Sequence, residues 1–180
     1  MLYMFLAEGF EEIEALATLD VIRRADIKIQ TVGVTGDVVI GSHGISVMAD
    51  VGLDDIEYEG LEGIVLPGGL PGTTNLESCD KVIEYTEYAF DNSLMVSAIC
   101  AAPSILGHLG ILKGKKATCY PGYEPELTGA TATDEFVVRD DNVITGKGAG
   151  AAIDFGLKIV EYFKGENDSY QLRKAMQCVR

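Results

Sequence analysis

Apolar residues along this chain fall into two kinds of stretch. Residues 2–6, 28–34, 61–66 and 94–99 are short and largely apolar, as expected of strands covered on both faces. Residues 10–24 and 80–90, and a stretch ending near Phe163, instead carry apolar positions every three or four residues and predict helices, with a final amphipathic helix from Ser169 onward. Shorter β-like pieces lie near 117–119, 131, 136–138 and 143–145, while 38–40 and 45–48 read as a hairpin closed by Gly41, Ser42, His43 and Gly44. Strands alternating with helices specify an α/β fold: a doubly wound, mostly parallel sheet with helices on both faces. Residues 1–180 read as a single domain, long enough to bury about 70% of the unfolded surface.

The first helix departs from the simplest version of that pattern. Ile13, Leu16, Ala17 and Val21 form one apolar stripe and Ala15, Leu19 and Ile22 a second, whereas a helix on the outside of a sandwich needs one. The surplus stripe predicts a second partner, and a homodimer built on this helix would supply it.

Sites in doubly wound folds lie outside the carboxyl ends of the strands. Four segments of this chain occupy such ends: the Glu-rich start of the first helix, the loop Pro67, Gly68, Gly69, Leu70, Pro71, Gly72, the junction at Cys100, and Gly146, Lys147, Gly148. At the third, the strand 94–99 runs straight into a helix that carries Pro103 in its first turn. A residue on so sharp a strand-to-helix turn needs small neighbours two positions away on either side, and Ala98 and Ala102 stand there. The following helix directs N–H groups and its positive end at the sulfur, which predicts a thiol pKa below the ordinary value of about 8.5.

Charge and cysteine usage narrow the function classes. A formal net charge of −14, spread without a basic patch, excludes phosphate-backbone and anionic-lipid binding as the main activity. Cysteines at 79, 100, 119 and 178 show neither C-x-x-C nor metal-type spacing, so they read as reduced thiols of a cytoplasmic protein. No run approaches the ~18 apolar residues of a membrane span.

A cysteine nucleophile usually works with histidine, and the chain offers only His43 and His108. His43 reads as a loop residue. His108 lies eight residues along the same helix, about 12 Å from Cys100 at 1.5 Å per residue, and reads as a helix-surface residue. No zinc site is expected, and the glycines at 146, 148 and 150 lack the full dinucleotide fingerprint. Glu11, Glu12 and Glu14 remain. Two of them suffice to complement the helix dipole, whereas Glu14 falls within the apolar pattern. A carboxyl buried beside a thiolate is pushed toward its neutral form and can donate a hydrogen bond to sulfur.

Residues 7–14 (AEGFEEIE), 65–69 (VLPGG), 98–103 (AICAAP) and 146–155 resemble the four signatures of the ThiJ/PfpI superfamily, in the branch of the Parkinson's-disease-associated protein deglycase. The resemblance implies a flavodoxin-like sandwich. It also implies a reactive, oxidation-prone Cys100 paired with protonated Glu14, an oxyanion pocket from the N–H groups of Gly69 and Ala101, and Gly68 and Tyr120 as neighbours of the site. Cofactor-free glyoxalase or deglycase chemistry on methylglyoxal-type carbonyls or glycated protein is the implied activity. An oxidative-stress sensor or redox-regulated chaperone using the same cysteine is the alternative, and a homodimer is the implied assembly. Ala101 stands where the protease branch has histidine after the cysteine, and no histidine follows His108, which sets aside protease and glutamine amidotransferase activity. Tyr120 occupies the position of a histidine in human-type relatives, and a phenol of pKa about 10 is a poor proton shuttle at neutral pH.

Overall fold

The computed structural model describes residues 1–178, so the share of the single-domain reading that covers Val179 and Arg180 lies outside the described residues. In chain order the elements are β1 (Leu2–Leu6), α1 (Glu12–Arg24), β2 (Ile29–Gly33), β3 (Val38–Ile40), β4 (Ser46–Met48), β5 (Val51–Gly52) and β6 (Gly63–Leu66). There follow α2 (Gly72–Glu77), α3 (Asp80–Asp91), β7 (Met95–Ile99), α4 (Pro103–His108), β8 (Lys116–Ala117), β9 (Thr131–Ala132), β10 (Val137–Asp140), β11 (Val143–Gly146), α5 (Ala152–Lys164) and α6 (Glu166–Ala175). Seven strands form the central sheet in the order β10-β11-β7-β6-β1-β2-β5, parallel throughout except for the antiparallel edge pair β10-β11. This is the expected doubly wound, mostly parallel sheet. Strand order reverses around β1, which has β2 on one side and β6 on the other, and in folds of this kind ligands bind outside the carboxyl ends of the strands at such a switch point.

Each buried strand feeds two apolar layers, because successive side chains point to opposite faces. Tyr3 and Phe5 of β1 join Ile64, Val96, Val82 and Tyr85 on one face. Leu2, Met4 and Leu6 join Val65, Ile99, Ile22 and Phe155 on the other. A strand buried on both sides admits a polar side chain only where it is bonded, as Ser97 is to the Ile64 carbonyl at 2.8 Å, so these strands read as largely apolar runs.

The second stripe of α1 does not await a second subunit. Ala15, Leu19 and Ile22 are all buried within the chain, in the layer that also holds Phe155, Ile159 and Val160 of α5. Gly156 lets the two helices approach: a Cβ there would lie 2.9 Å from Val21 Cβ and 3.4 Å from the Thr18 backbone. Thr18 Oγ1 adds a hydrogen bond to the Ala152 carbonyl at 3.2 Å. The partner called for by the pattern is α5, some 130 residues away in sequence, and the large apolar side chain that α1 leaves in solvent is Ile13, 56% exposed.

Helix α1 starts at Glu12 rather than near Phe10, because Glu11 is its extended N-cap and accepts the Ile13 N–H at 3.2 Å. Glu12 is buried and receives the β3-β4 hairpin, accepting the His43 N–H at 2.7 Å and facing His43 Nδ1 at 2.8 Å. Burial opposes ionisation of Glu12, but these bonds together with those from its own backbone and Ile45 outweigh it and hold its carboxyl at about 2. Gly41 fits beside it only without a side chain, since a Cβ would lie 2.4 Å from Glu12 Cδ.

Gly156→Val should wedge α1 from α5 and destabilise the fold by about 1–3 kcal/mol, the usual penalty for overpacking. Chemical denaturation measures it, and a variant as stable as the parent would show that the contact is slack.

Candidate active site

At the end of β7 the chain reverses within one residue. Cys100 has φ +65°, in the left-handed region that costs an L residue about 1–2 kcal/mol. Hydrogen bonds from two other segments hold it there: the Cys100 N–H donates to the Gly146 carbonyl at 2.9 Å, and the Tyr120 N–H donates to the Cys100 carbonyl at 2.8 Å. The glycine segment that begins at the end of β11, singled out in the sequence, thus supplies a backbone acceptor under the cysteine.

Glu14, in the first turn of α1, is 1% exposed. Its Oε2 accepts the Gly68 N–H at 3.0 Å. Its Oε1 is buried without a hydrogen-bond partner, and the Cys100 thiol is the side chain beside the carboxyl that favours its ionised form. Gly68 is wedged between the two: a Cβ would lie 2.6 Å from Cys100 Cβ and 2.7 Å from Glu14 Oε2, so no side chain fits. The N–H groups of Gly69 and Ala101 favour the ionised form of the sulfur. Gly69, at φ +92°, packs on the Glu11 backbone, where a Cβ would lie 2.4 Å from the Glu11 nitrogen.

The electrostatics correct one expectation. Burial, then the charge and hydrogen bond of Glu14, push the Cys100 thiol up to about 12, against the pull of the Ala101 and Gly69 N–H groups. The expected lowering fails because α4 has only six residues and a carboxylate shares the sulfur's buried site. Burial likewise raises Glu14 to about 7. Two anions cannot coexist there, so between about 7 and about 12 the pair holds one proton. That proton sits on Sγ with Glu14 ionised, or on Glu14 with a thiolate facing the two N–H donors.

The sulfur opens on a cleft of about 210 Å³ lined by Gly69, Leu70, Cys100, Ala101, Tyr120 and Tyr123. The structure therefore brings together all six sequence-selected residues, Glu14, Gly68, Gly69, Cys100, Ala101 and Tyr120, with Leu70 and Tyr123 as unforeseen walls. Neither histidine lines this cleft. His43 clamps the hairpin against Glu11 and Glu12, whose ligand-capable atoms lie within 4.8 Å of one another and make an ion-pair cluster. His108 bridges Glu77 and Glu126.

A profile of the DJ-1/PfpI family matches residues 1–162. The chain belongs to that family. It is 37% identical over 172 residues to Protein DJ-1 homolog B of Arabidopsis thaliana, covering 94% of this chain and 39% of that protein. The chain thus spans about two fifths of that longer relative. It is 33% identical over 171 residues to the glutathione-independent glyoxalase DJR-1.2 of Caenorhabditis elegans, covering 94% of this chain and 91% of that one. The solved structure of oxidized Toxoplasma gondii DJ-1 superimposes with a TM-score of 0.93 at 26% identity, over 98% of this chain and 97% of that one. Among the described residues of this DJ-1/PfpI chain, no helix is long and apolar enough to cross a membrane.

One-proton sharing has a kinetic signature. Alkylation of Cys100 by iodoacetamide should rise as the pair loses its first proton and then stay flat toward the second, whereas Glu14→Gln should show a single step at a different pH. Superimposable profiles for the two proteins would sink the coupling.

Proposed function

We propose that the chain is a cofactor-free glyoxalase of the deglycase kind, acting through Cys100 on methylglyoxal-type carbonyls or their protein adducts. The buried Cys100 and Glu14 pair, holding one proton beside two N–H donors at the base of a cleft, is the observation that carries this reading. Sulfur adds to the aldehyde carbon of a 2-oxoaldehyde as the Glu14 proton moves to the developing oxyanion, which the Gly69 and Ala101 N–H groups stabilise. Glu14, now ionised, removes the hydrogen from the same carbon to give an enediol. Returning that proton to the neighbouring carbon leaves a thioester, and water cleaves it to a 2-hydroxy acid and the free thiol. In a glycated protein the hemithioacetal forms at the corresponding carbon and the amine leaves. The family and the named glyoxalase relative support the chemistry.

A specific observation also favours a second reading, in which the thiol serves as an oxidation sensor or the switch of a redox-regulated chaperone. No imidazole lines the cleft, and half-exposed Tyr120 stands where a proton shuttle is wanted. This reading requires that wild type turn over no dicarbonyl while peroxide modifies Cys100 ahead of Cys79, Cys119 and Cys178.

The proposed location is cytoplasmic, since all four cysteines are free. The proposed assembly is a homodimer whose apolar face keeps Ile13 of the first helix and adds the β3-β4 hairpin. Ile13 of α1 and Val38, Ile40, Ile45 and Met48 of the hairpin are all exposed, Met48 to 77%, an unusual concentration of apolar surface for a chain of charge −14. The whole chain is proposed to work as one ThiJ/PfpI-type unit.

Conversion of methylglyoxal to lactate, followed by proton NMR, tests the enzyme. Cys100→Ser should abolish it and Glu14→Gln should slow it at least tenfold. Turnover that survives Cys100→Ser would overturn the assignment.

Sedimentation equilibrium tests the assembly: a species of twice the 19.3 kDa chain is expected, and Met48→Glu should shift it toward monomer. A wild-type monomer at micromolar concentration refutes the dimer.

A further inference from the structure

Half of the cleft wall over Cys100 consists of side chains to which the proton-sharing pair gives no task. Of the six lining residues, Gly69, Cys100 and Ala101 serve the sulfur, and Leu70, Tyr120 and Tyr123 remain. The two tyrosines owe their places to one turn. Tyr120, Pro121, Gly122 and Tyr123 put proline second and glycine third, Gly122 has φ +98°, and the Tyr123 N–H donates to the Tyr120 carbonyl at 3.0 Å. This is the type II pattern, in which proline presets the second residue's φ and glycine takes the positive φ that follows. The ends of such a turn lie within about 7 Å of each other, so a single turn brings both aromatic residues to the cleft. The Tyr120 N–H, bonded to the Cys100 carbonyl at 2.8 Å, ties that turn to the elbow itself.

Backbone architecture does not call for these side chains. Both bonds of Tyr120 use its N–H and carbonyl, which other residues would supply equally, yet the position carries an aromatic residue that is 51% exposed. Its ring rests against Gly148, where a Cβ would lie 3.4 Å from Tyr120 Cδ2. Leu70 is 56% exposed, and Tyr123 is half-buried against the layer that holds Ile105 and Leu106. Apolar side chains scattered singly in water are ordinary, whereas three gathered around a reactive sulfur form the kind of wall that a ligand's apolar part needs. None of the six lining residues has a cationic side chain, and the chain's charge of −14 opposes anions further. The cleft, at about 210 Å³, is also far larger than the one methyl group of methylglyoxal.

We infer that Leu70, Tyr120 and Tyr123 form an aryl-binding wall, which makes aryl 2-oxoaldehydes, with phenylglyoxal the simplest, preferred substrates over methylglyoxal. The inference rests on the reading of Cys100 as a nucleophile toward 2-oxoaldehydes and names the group that the dicarbonyl carries. The aryl ring packs on the tyrosine rings and Leu70 while the aldehyde carbon sits at Sγ. Sulfur adds to that carbon, its hydrogen moves to the neighbouring carbon, and water releases the thioester. Phenylglyoxal and one water thus yield mandelate and the free thiol, with no external oxidant or reductant. An anionic carbonyl acid such as glyoxylate finds no cation in the cleft.

Binding and turnover are measured apart. With the Cys100→Ser protein, acetophenone should shift the Gly69 and Ala101 amide resonances in an NMR titration, whereas acetone and benzoate at the same concentration should leave them in place. In that background Tyr120→Ala and, separately, Leu70→Ser should weaken acetophenone at least fivefold, and Tyr120→Phe should restore it, since the ring and not its hydroxyl makes the contact. With Cys100 intact, kcat/KM for phenylglyoxal should exceed that for methylglyoxal at least tenfold, and Tyr120→Ala should lower this ratio at least fivefold, chiefly through KM. A residue that only braced the turn would change both substrates alike. An unchanged ratio in Tyr120→Ala, benzoate binding as well as acetophenone, or weak acetophenone binding by Tyr120→Phe overturns the wall, and Leu70→Ser, outside the turn, decides the matter if Tyr120→Ala disturbs the elbow. If wild type consumes neither aldehyde, the carbonyl chemistry fails while the acetophenone titration still decides the aryl wall.

Discussion

An apolar interior will not hold two negative charges in contact, and much of this molecule is arranged around that constraint. Glu14 and Cys100 share one buried location with a single proton between them over several pH units. The arrangement needs close approach, which Gly68 permits by having no side chain. It needs donors for whichever group is ionised, and these are backbone N–H groups: Gly68 for the carboxylate, Gly69 and Ala101 for the sulfur. It needs no histidine, because the carboxyl itself moves the proton.

Such a pair is only as useful as it is fixed. Glu14 rides on α1, which is held by the sheet on one side and by α5 through the close contact at Gly156, and whose neighbour Glu12 locks the hairpin across its start. Cys100 is tied by its backbone to Gly146 at the end of β11 and to Tyr120 after β8. The segments at the carboxyl ends of β1, β6, β7 and β11, parallel neighbours in the sheet, thus come together to set the position of two atoms.

The strands and the elbow were legible in the sequence because their signals are local. An apolar run marks a doubly covered strand, and alanines on either side of Cys100 mark a tight turn. Glu14 was legible as the one carboxylate of three that falls within an apolar pattern. What escaped depends on contacts across the chain. β5 has two residues, too few for any period to register. The second partner of α1 could be inferred to exist but not identified, since nothing in residues 10–24 names α5. The direction of the thiol shift was misread because the helix terminus is local and the burial and opposing charge are not. The grouping of Glu77, His108 and Glu126 spans separations of 31 and 18 residues without a motif.

The left-handed backbone at Cys100 sets folding against chemistry at a single position. Among the twenty residues glycine would sit there most comfortably, and by relieving the strain it would yield a more stable protein with no nucleophile. Stability alone therefore gives no reason to keep a cysteine at the elbow. A lineage that ceased to need the thiol would be free to drift toward glycine or asparagine, so the residue found at this one position serves as a sensor of whether a relative still works through sulfur.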